Sequence, residues 1–317
     1  MKKILLSILL ILAFATNGFS ADYFACAADE VHANNVWCTA AHANGSCSND
    51  GTTEADTGAI LSAGNSFYAN GCAMTITSNV TVAKLSTAAN GEVAGGGFTV
   101  STNGVVIQAN LEADTTTALF ITGAGVAVTL GSSGTPITIQ GGSAATAYGV
   151  YDQHTGVGST TTVYATITGG TNITAKGYYS TSSSVGGVNI IGTCVGGTTA
   201  VGCQNKHATT GTMTVLNCYG AAAGIAQSGC YAVDGGKITV TGDIKNTDVA
   251  TGVFGVIEYA PATASNFIWF TLGTDIYLSV PPAADKILTT GSFVNSTDGT
   301  VDSGTASAGG GGGAWGF

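Results

Sequence analysis

Three stretches of this chain share one pattern: GYYSTSSSVGGVNI (177–190), GCQNKHATTGTMTV (202–215) and GCYAVDGGKITV (229–240). In each stretch a glycine precedes two larger residues, and an apolar–polar–apolar triplet follows further along. The first glycine recurs after 25 residues and again after 27. A period of this size, built from strand-like units, is typical of a stacked solenoid.

The pattern extends in both directions from these stretches. It recurs at 252–254 and 267–269, and at 149–151 on the N-terminal side. Further triplets of the same kind stand at 74–76, 98–100, 119–121 and 137–139. Alternation of apolar and polar residues predicts strands with one face turned inward. Glycine, asparagine, serine and threonine separate the triplets, and no unit contains an amphipathic helical run.

These repeats predict how the chain folds. A strand that returns beside its predecessor once per turn forms a parallel pair, and such crossovers are nearly always right-handed. We therefore predict an all-β protein, a right-handed parallel β-helix with a disulfide-rich N-terminal cap. The expected segments are a signal peptide (1–20), the cap (21–57), the β-helix (58–294) and a glycine-rich C-terminal tail (295–317). The tail is expected either to dock onto a partner or to be disordered.

The first residues indicate export. Lys2 and Lys3 precede an apolar run at 4–14 that is too short to cross a bilayer, and small residues at 18 and 20 suit cleavage before Ala21. We expect a secreted or cell-surface protein with no transmembrane segment after cleavage of the signal peptide.

The charge composition argues against nucleic acid as a partner. All eight basic residues are lysines, against 18 acidic residues, and the net charge is −10. Such a chain repels phosphate backbones. It also lacks the arginine that commonly clamps carboxylates and phosphates.

The eight cysteines form two groups of four. Export and an even count favour disulfides. The first group is expected to cross-link the cap over the open edge of the first coil, and it consists of Cys26, Cys38, Cys47 and Cys72. Cys203 and Cys230 both follow a repeat glycine, so we expect them to stack on adjacent coils and to be close enough for a disulfide. Cys194 and Cys218 are expected to stack similarly, and a ladder of buried free thiols is the alternative.

Metal and cofactor sites are not expected. No two cysteines have C-x-x-C spacing, and the four histidines are scattered along the chain. The glycine-rich stretch at 123–131 precedes no helix, which argues against phosphate binding.

The segment ILSAGNSFYANG (60–71), followed by TITSNVTV (75–82), resembles the pectate-lyase-like superfamily of right-handed parallel β-helices. The similarity is to its non-enzymatic surface, adhesin and virion-appendage members, and it covers most of residues 58–294. Because this superfamily also contains polysaccharide lyases and glycoside hydrolases, the resemblance leaves the function open.

The enzymatic branches imply residues to look for. Lyases of this fold commonly use an arginine or lysine base with carboxylate-bound calcium, and the polygalacturonase-like branch uses Asn-x-Asp, Asp-Asp and Gly-His-Gly motifs. This chain has one Asn-x-Asp, at 246–248, and neither of the other two motifs. Glycosidases need two carboxylates at the scissile bond. The candidates for such a site are Asp234, Asp243, Asp248 and Lys245, although no paired-carboxylate motif joins them.

Two functions remain from these observations. The first is an exported structural or adhesive surface protein, a rod with threonine-, serine- and asparagine-rich faces whose partner is a surface glycan or a second copy. Tyrosines near the repeat glycines are its candidates for stacking on sugars, with inward packing as the alternative: Tyr148, Tyr151, Tyr178, Tyr179 and Tyr231. The second function is a polysaccharide-active lyase or glycoside hydrolase.

Overall fold

A computed structural model shows an all-β protein in which successive coils stack in parallel, as the repeats predict. It describes residues 21–25, 27–33, 36–38, 61–87, 96–181, 187–206, 212–220, 229–233 and 237–241, and then seven short strands between 244 and 302. No helix occurs in these ranges. The predicted signal peptide, the last residues of the tail, and Cys26 and Cys47 of the predicted cap lie outside them.

The smaller of two sheets has eight strands, each from a successive coil, and all its pairings are parallel. Numbered in chain order within the whole protein, its strands are β4 (Ala73–Ile76), β6 (Gly97–Val100), β8 (Leu119–Ile121), β11 (Val150–Asp152), β14 (Tyr178–Ser180), β16 (Cys203–Lys206), β18 (Cys230–Val233) and β21 (Glu258–Tyr259).

The larger sheet has 18 strands. They are β1 (Asp22–Ala25), β2 (Trp37–Cys38), β3 (Ser66–Tyr68), β5 (Val80–Ser86), β7 (Val105–Glu112), β9 (Ala127–Leu130), β10 (Ile137–Gln140), β12 (Thr160–Val163), β13 (Ala165–Thr168), β15 (Val188–Val195), β17 (Thr212–Gly220), β19 (Lys237–Val240), β20 (Ile244–Asn246), β22 (Phe267–Phe270), β23 (Ile276–Leu278), β24 (Ile287–Leu288), β25 (Phe293–Asn295) and β26 (Val301–Asp302). A coil contributes one long strand or two consecutive ones, since β12 and β13 both pair with β15.

The described part of the predicted cap joins the larger sheet. Strand β1 pairs in parallel with β3 and antiparallel with β2. Trp37 of β2 is buried, with its ring 4.7 Å from that of Phe67 and 6.5 Å from that of Phe98. The hairpin therefore covers the apolar end of the first coils, where an open sheet edge would otherwise be exposed.

The core is a set of stacked rows inside the coils. Alternate residues of each strand point inward, so one row runs through Met74, Phe98, Leu119, Val150 and Tyr178, and all five are almost fully buried. Each row places similar side chains at the same position of neighbouring coils. This explains why the repeat is recognisable in the sequence.

Asparagines outside the core help to hold neighbouring coils in register. The side-chain oxygens of Asn79, Asn103 and Asn110 each accept a hydrogen bond from a backbone N–H of the next coil, at 2.8, 2.9 and 2.9 Å. The three donors, Val106, Ala127 and Thr138, belong to strands β7, β9 and β10, and backbone N–H groups generally require such a partner. These asparagine side chains are thus part of the stacking.

Candidate functional site

The outward face of the smaller sheet carries a column of aromatic residues. Strand pairing places Phe120 beside Tyr151, and Tyr151 beside Tyr179. The next two positions of the column are Gln204 and Tyr231. Tyr151, Tyr179 and Tyr231 are half-buried, as expected for side chains on the outer surface of a coil.

Tyr148 joins Tyr151 and Tyr179 to form what we call the tyrosine cluster. The rings of Tyr151 and Tyr179 are stacked, with centroids 5.1 Å apart and planes inclined by 20°. The Tyr148 ring meets Tyr151 edge-on at 5.4 Å and lies 4.8 Å from Tyr179. Such pairs stabilise by about 0.5–1.5 kcal/mol each beyond their buried area. The cluster is therefore a fixed aromatic surface and not three independent side chains.

Burial favours the neutral form of the Tyr148 phenol, and two lysines lie near the cluster. Burial, followed by the neighbouring Tyr179 and Tyr151, raises the pKa of Tyr148 to about 12, and Lys206 acts in the opposite direction. The Lys176 ammonium lies 6.0 Å from the Tyr148 ring centroid and donates to the Thr174 carbonyl at 2.9 Å. Burial lowers the pKa of Lys176. The cluster thus combines apolar ring surface, phenolic hydroxyls and two nearby lysines.

Tyr178, one of the five sugar-stacking candidates, does not belong to this surface. Its side chain is completely buried, while Tyr179 next to it is partly exposed. The reason is the two-residue alternation of a strand, which sends the first residue after the repeat glycine inward and the second outward. For Tyr178 the alternative, inward packing, therefore holds.

Tyr178 instead belongs to a buried polar group inside the coils, here called the aspartate cluster: Asp152, His154, Thr161 and Tyr178. All four are completely buried. One oxygen of Asp152 accepts hydrogen bonds from the Tyr178 hydroxyl at 2.5 Å and the Thr161 hydroxyl at 2.8 Å. The other lies 2.5 Å from Nδ1 of His154. This carboxylate therefore has strong donors on both oxygens.

The aspartate cluster has a structural role inside the coils. Burial and the adjacent Asp152 carboxylate raise the pKa of Tyr178 well above its usual value, so the phenol stays neutral and donates. Because these side chains have no exposed surface, they do not meet an external substrate in this conformation. No repeat or motif of the sequence pointed to the cluster. The available signal was an aspartate at an inward position of a strand, with a histidine two residues later.

The C-terminal group of cysteines is stacked as expected but bonded differently. Cys203 pairs in register with Cys230, and Cys194 pairs with Cys218. The disulfides, however, join Cys194 to Cys203 and Cys218 to Cys230, each with Cα atoms 5.7 Å apart. The expected bonds between coils were therefore wrong, because each bond crosses its own coil from the larger sheet to the smaller one. Cys38 and Cys72 are also disulfide-bonded.

The structure leaves the candidates for the enzymatic alternative untested. Asp234, Asp243 and Asp248 lie outside the described residues. Lys245 is placed only as part of strand β20, beside Tyr219. Among the described residues, no group of three or more histidine, cysteine or acidic side chains is arranged to hold a metal ion.

Comparisons with known proteins do not identify a family. No protein-family model matches the sequence, and no curated protein or solved structure is significantly similar to it. None of the described residues forms a helix long and apolar enough to cross a membrane.

Proposed function

We propose that this protein is an exported structural or adhesive surface protein, a β-helical rod that binds glycans through the tyrosine cluster of its smaller sheet. The observation that carries the proposal is the convergence of Tyr148, Tyr151 and Tyr179 on one outward face. Tyr148 is itself buried, and the partly exposed rings of Tyr151 and Tyr179 provide apolar surface for the C–H groups of sugars and hydroxyls for hydrogen bonds.

The rigidity of the cluster supports this function. The rings are packed against one another on strands whose registers are fixed by continuous parallel pairing. A binding surface that is already ordered loses little conformational entropy when a ligand arrives. A weak glycan site repeated over many copies of a surface protein would then reach useful avidity.

The disulfides support an extracellular location. Both bonds between the last four cysteines are formed, and such bonds persist in oxidising compartments. The sequence features expected of a signal peptide agree with this location. An exported rod with few charged residues, 8% of the chain, fits a structural or adhesive role at a cell surface.

Binding to four oligosaccharides tests the proposal: cellohexaose, chitohexaose, mannohexaose and an alginate oligomer. We expect the wild-type protein to bind at least one of them, and the double variant Tyr151→Ala/Tyr179→Ala to bind it at least tenfold more weakly. Tyr164→Ala is the matched control, because Tyr164 is a partly exposed tyrosine between strands β12 and β13 of the larger sheet. No binding to any of the four, or equal loss in the control, would contradict the proposal, and release of shortened sugars would favour the enzymatic alternative.

A further inference from the structure

A turn on the surface of the rod carries an asparagine in a sequence that can accept a sugar. Asn172-Ile173-Thr174 has the form Asn-x-Thr, the acceptor triplet for N-linked glycosylation. It lies in the turn between β13 and β14, and the Ile173 side chain at its centre is 70% exposed. Such triplets also arise by chance in a threonine-rich chain, so the geometry of the side chains decides whether this one can react.

The Asn172 side chain is oriented by Thr174. Its Oδ1 accepts hydrogen bonds from the backbone N–H of Thr174 at 3.1 Å and from the Thr174 hydroxyl at 3.0 Å. Asparagine commonly forms such a turn with the backbone two residues further on. Both lone pairs of Oδ1 are thereby used. Nδ2 donates to no residue in the described part of the chain, and it is not buried, so the nitrogen that would carry a sugar remains accessible.

The turn itself is held in place from several sides. The backbone N–H of Ala175 donates to the Asn172 carbonyl at 2.9 Å, and that of Thr171 donates to the Gly142 carbonyl of the preceding coil at 3.1 Å. The Thr199 hydroxyl, from the following coil, donates to the Thr171 carbonyl. The acceptor is therefore presented in one conformation, and little further ordering is needed when an enzyme binds it.

A second triplet of the same form provides a comparison. Asn79-Val80-Thr81 is also at the surface, with Asn79 and Thr81 both exposed. However, Oδ1 of Asn79 accepts the backbone N–H of Val106, in the next coil, at 2.8 Å. Strand β5 begins directly after Asn79, so the rest of this triplet is part of a sheet. Asn79 must therefore give up a bond between coils before it can take the conformation that Asn172 already has.

We propose that Asn172 is an acceptor site for N-linked glycosylation of the folded protein. In this reaction Nδ2 of Asn172 attacks the anomeric carbon of a sugar carried on a diphosphate. The C–N bond forms, the bond from that carbon to the diphosphate breaks, and Nδ2 loses one proton. An attached sugar is bulky and solubilising, which suits a turn with an exposed isoleucine. The inference goes beyond the proposed function and does not depend on the tyrosine cluster.

Incubation of the purified, folded protein with a soluble N-glycosyltransferase and UDP-glucose tests this site. We expect one hexose to be added at Asn172, located by mass spectrometry of peptides. Asn79 should react about tenfold more slowly, since breaking one net hydrogen bond of about 1.4 kcal/mol corresponds to a tenfold change. In the reduced, alkylated and unfolded chain neither side chain is held, so the two asparagines should react at similar rates. A synthetic peptide of residues 166–178 is the positive control for the enzyme.

Two outcomes would overturn the inference. In the first, the enzyme modifies the peptide and the unfolded chain but leaves Asn172 of the folded protein unmodified. In the second, Asn79 and Asn172 of the folded protein react at equal rates, which would mean that the turn gives Asn172 no advantage. Neither result bears on the tyrosine cluster, and failure of all four oligosaccharides to bind would remove the proposed function while this site stood.

Discussion

Cys203 lies directly beside Cys230 in the smaller sheet, yet the two cysteines are not bonded to each other. Each is bonded across its own coil, to Cys194 and Cys218 respectively. The two disulfides therefore lie on neighbouring coils, and each ties the larger sheet to the smaller one within its own coil. Both the observed pairing and the pairing between coils fall within the Cα separations that disulfides allow.

A single tryptic cut distinguishes the two pairings. Lys206 is the only lysine between Cys194 and Cys230, and it separates the first bonded pair from the second. We expect non-reduced peptide mapping to give two peptides, 177–206 and 207–237, each with an internal disulfide. If the bonds joined neighbouring coils instead, these two peptides would remain linked until reduction.

Removal of one of these disulfides should lower the free energy of unfolding. The bonded cysteines are separated by 9 and 12 residues, and closing loops of this size restricts the unfolded chain by roughly 2–3 kcal/mol each. We expect Cys194→Ser/Cys203→Ser to lower the free energy of unfolding by about that amount, measured by urea denaturation without reductant. Wild type under reducing conditions should lose more, because every bond is then open.

The cysteines also show which features of the structure can be predicted from the sequence. Period and alternation predicted which cysteines stack, because both properties are set by the backbone repeat. They did not predict the bonds, since a strand pair and a coil crossing both bring the Cα atoms within the range that a disulfide allows. The choice between them depends on side-chain direction at Cys194 and Cys203, which no periodic pattern encodes.

The aspartate cluster predicts a large difference between two adjacent tyrosines. Tyr178→Phe removes a buried hydroxyl that donates to Asp152 at 2.5 Å. We expect it to lower the free energy of unfolding by about 1–3 kcal/mol. Tyr179→Phe removes the hydroxyl of the next, partly exposed residue and should change the stability by less than about 0.5 kcal/mol.

Urea denaturation of both variants provides the measurement. Because each substitution removes one oxygen and keeps the ring, the comparison isolates the effect of the buried hydrogen bond. If both substitutions lowered the free energy of unfolding by the same small amount, the hydrogen bond from Tyr178 to Asp152 would not stabilise the protein. The sequence did not suggest this contrast, because both tyrosines follow the same glycine and only their inward or outward direction separates them.

Stability should fall at alkaline pH through Tyr148. Its pKa is about 12 in the folded protein against 10.0 for an ordinary tyrosine, so the folded state holds the proton more tightly. The stabilisation that protonated Tyr148 gives the folded state is therefore complete below pH about 10, and it is lost as the pH rises toward 12. We expect Tyr148→Phe to lose stability less steeply over this interval than wild type, measured by urea denaturation at a series of pH values. Parallel curves would show that Tyr148 ionises alike in the folded and unfolded states.

The candidate site illustrates a second limit of sequence reasoning. Tyr148, Tyr151 and Tyr179 were found by their positions near repeat glycines, and the structure brings these three together. Gln204 occupies the equivalent position one coil later but is not aromatic, so the same reasoning passed over it. Its buried, unpartnered oxygen is visible only once the neighbouring coils are in place.

The most direct test of the proposed function is an NMR titration of protein labelled with ¹³C in its tyrosine rings, in which the oligosaccharide that binds most tightly among the four is added in steps. We predict that the ring signals of Tyr148, Tyr151, Tyr179 and Tyr231 shift together with one dissociation constant. The signals of Tyr164 on the larger sheet and of Tyr68 near the N-terminal hairpin should stay fixed. Shifts at Tyr164 and Tyr68 as large as those of the tyrosine cluster, or no shift at the cluster at saturating sugar, would contradict a glycan site on the smaller sheet.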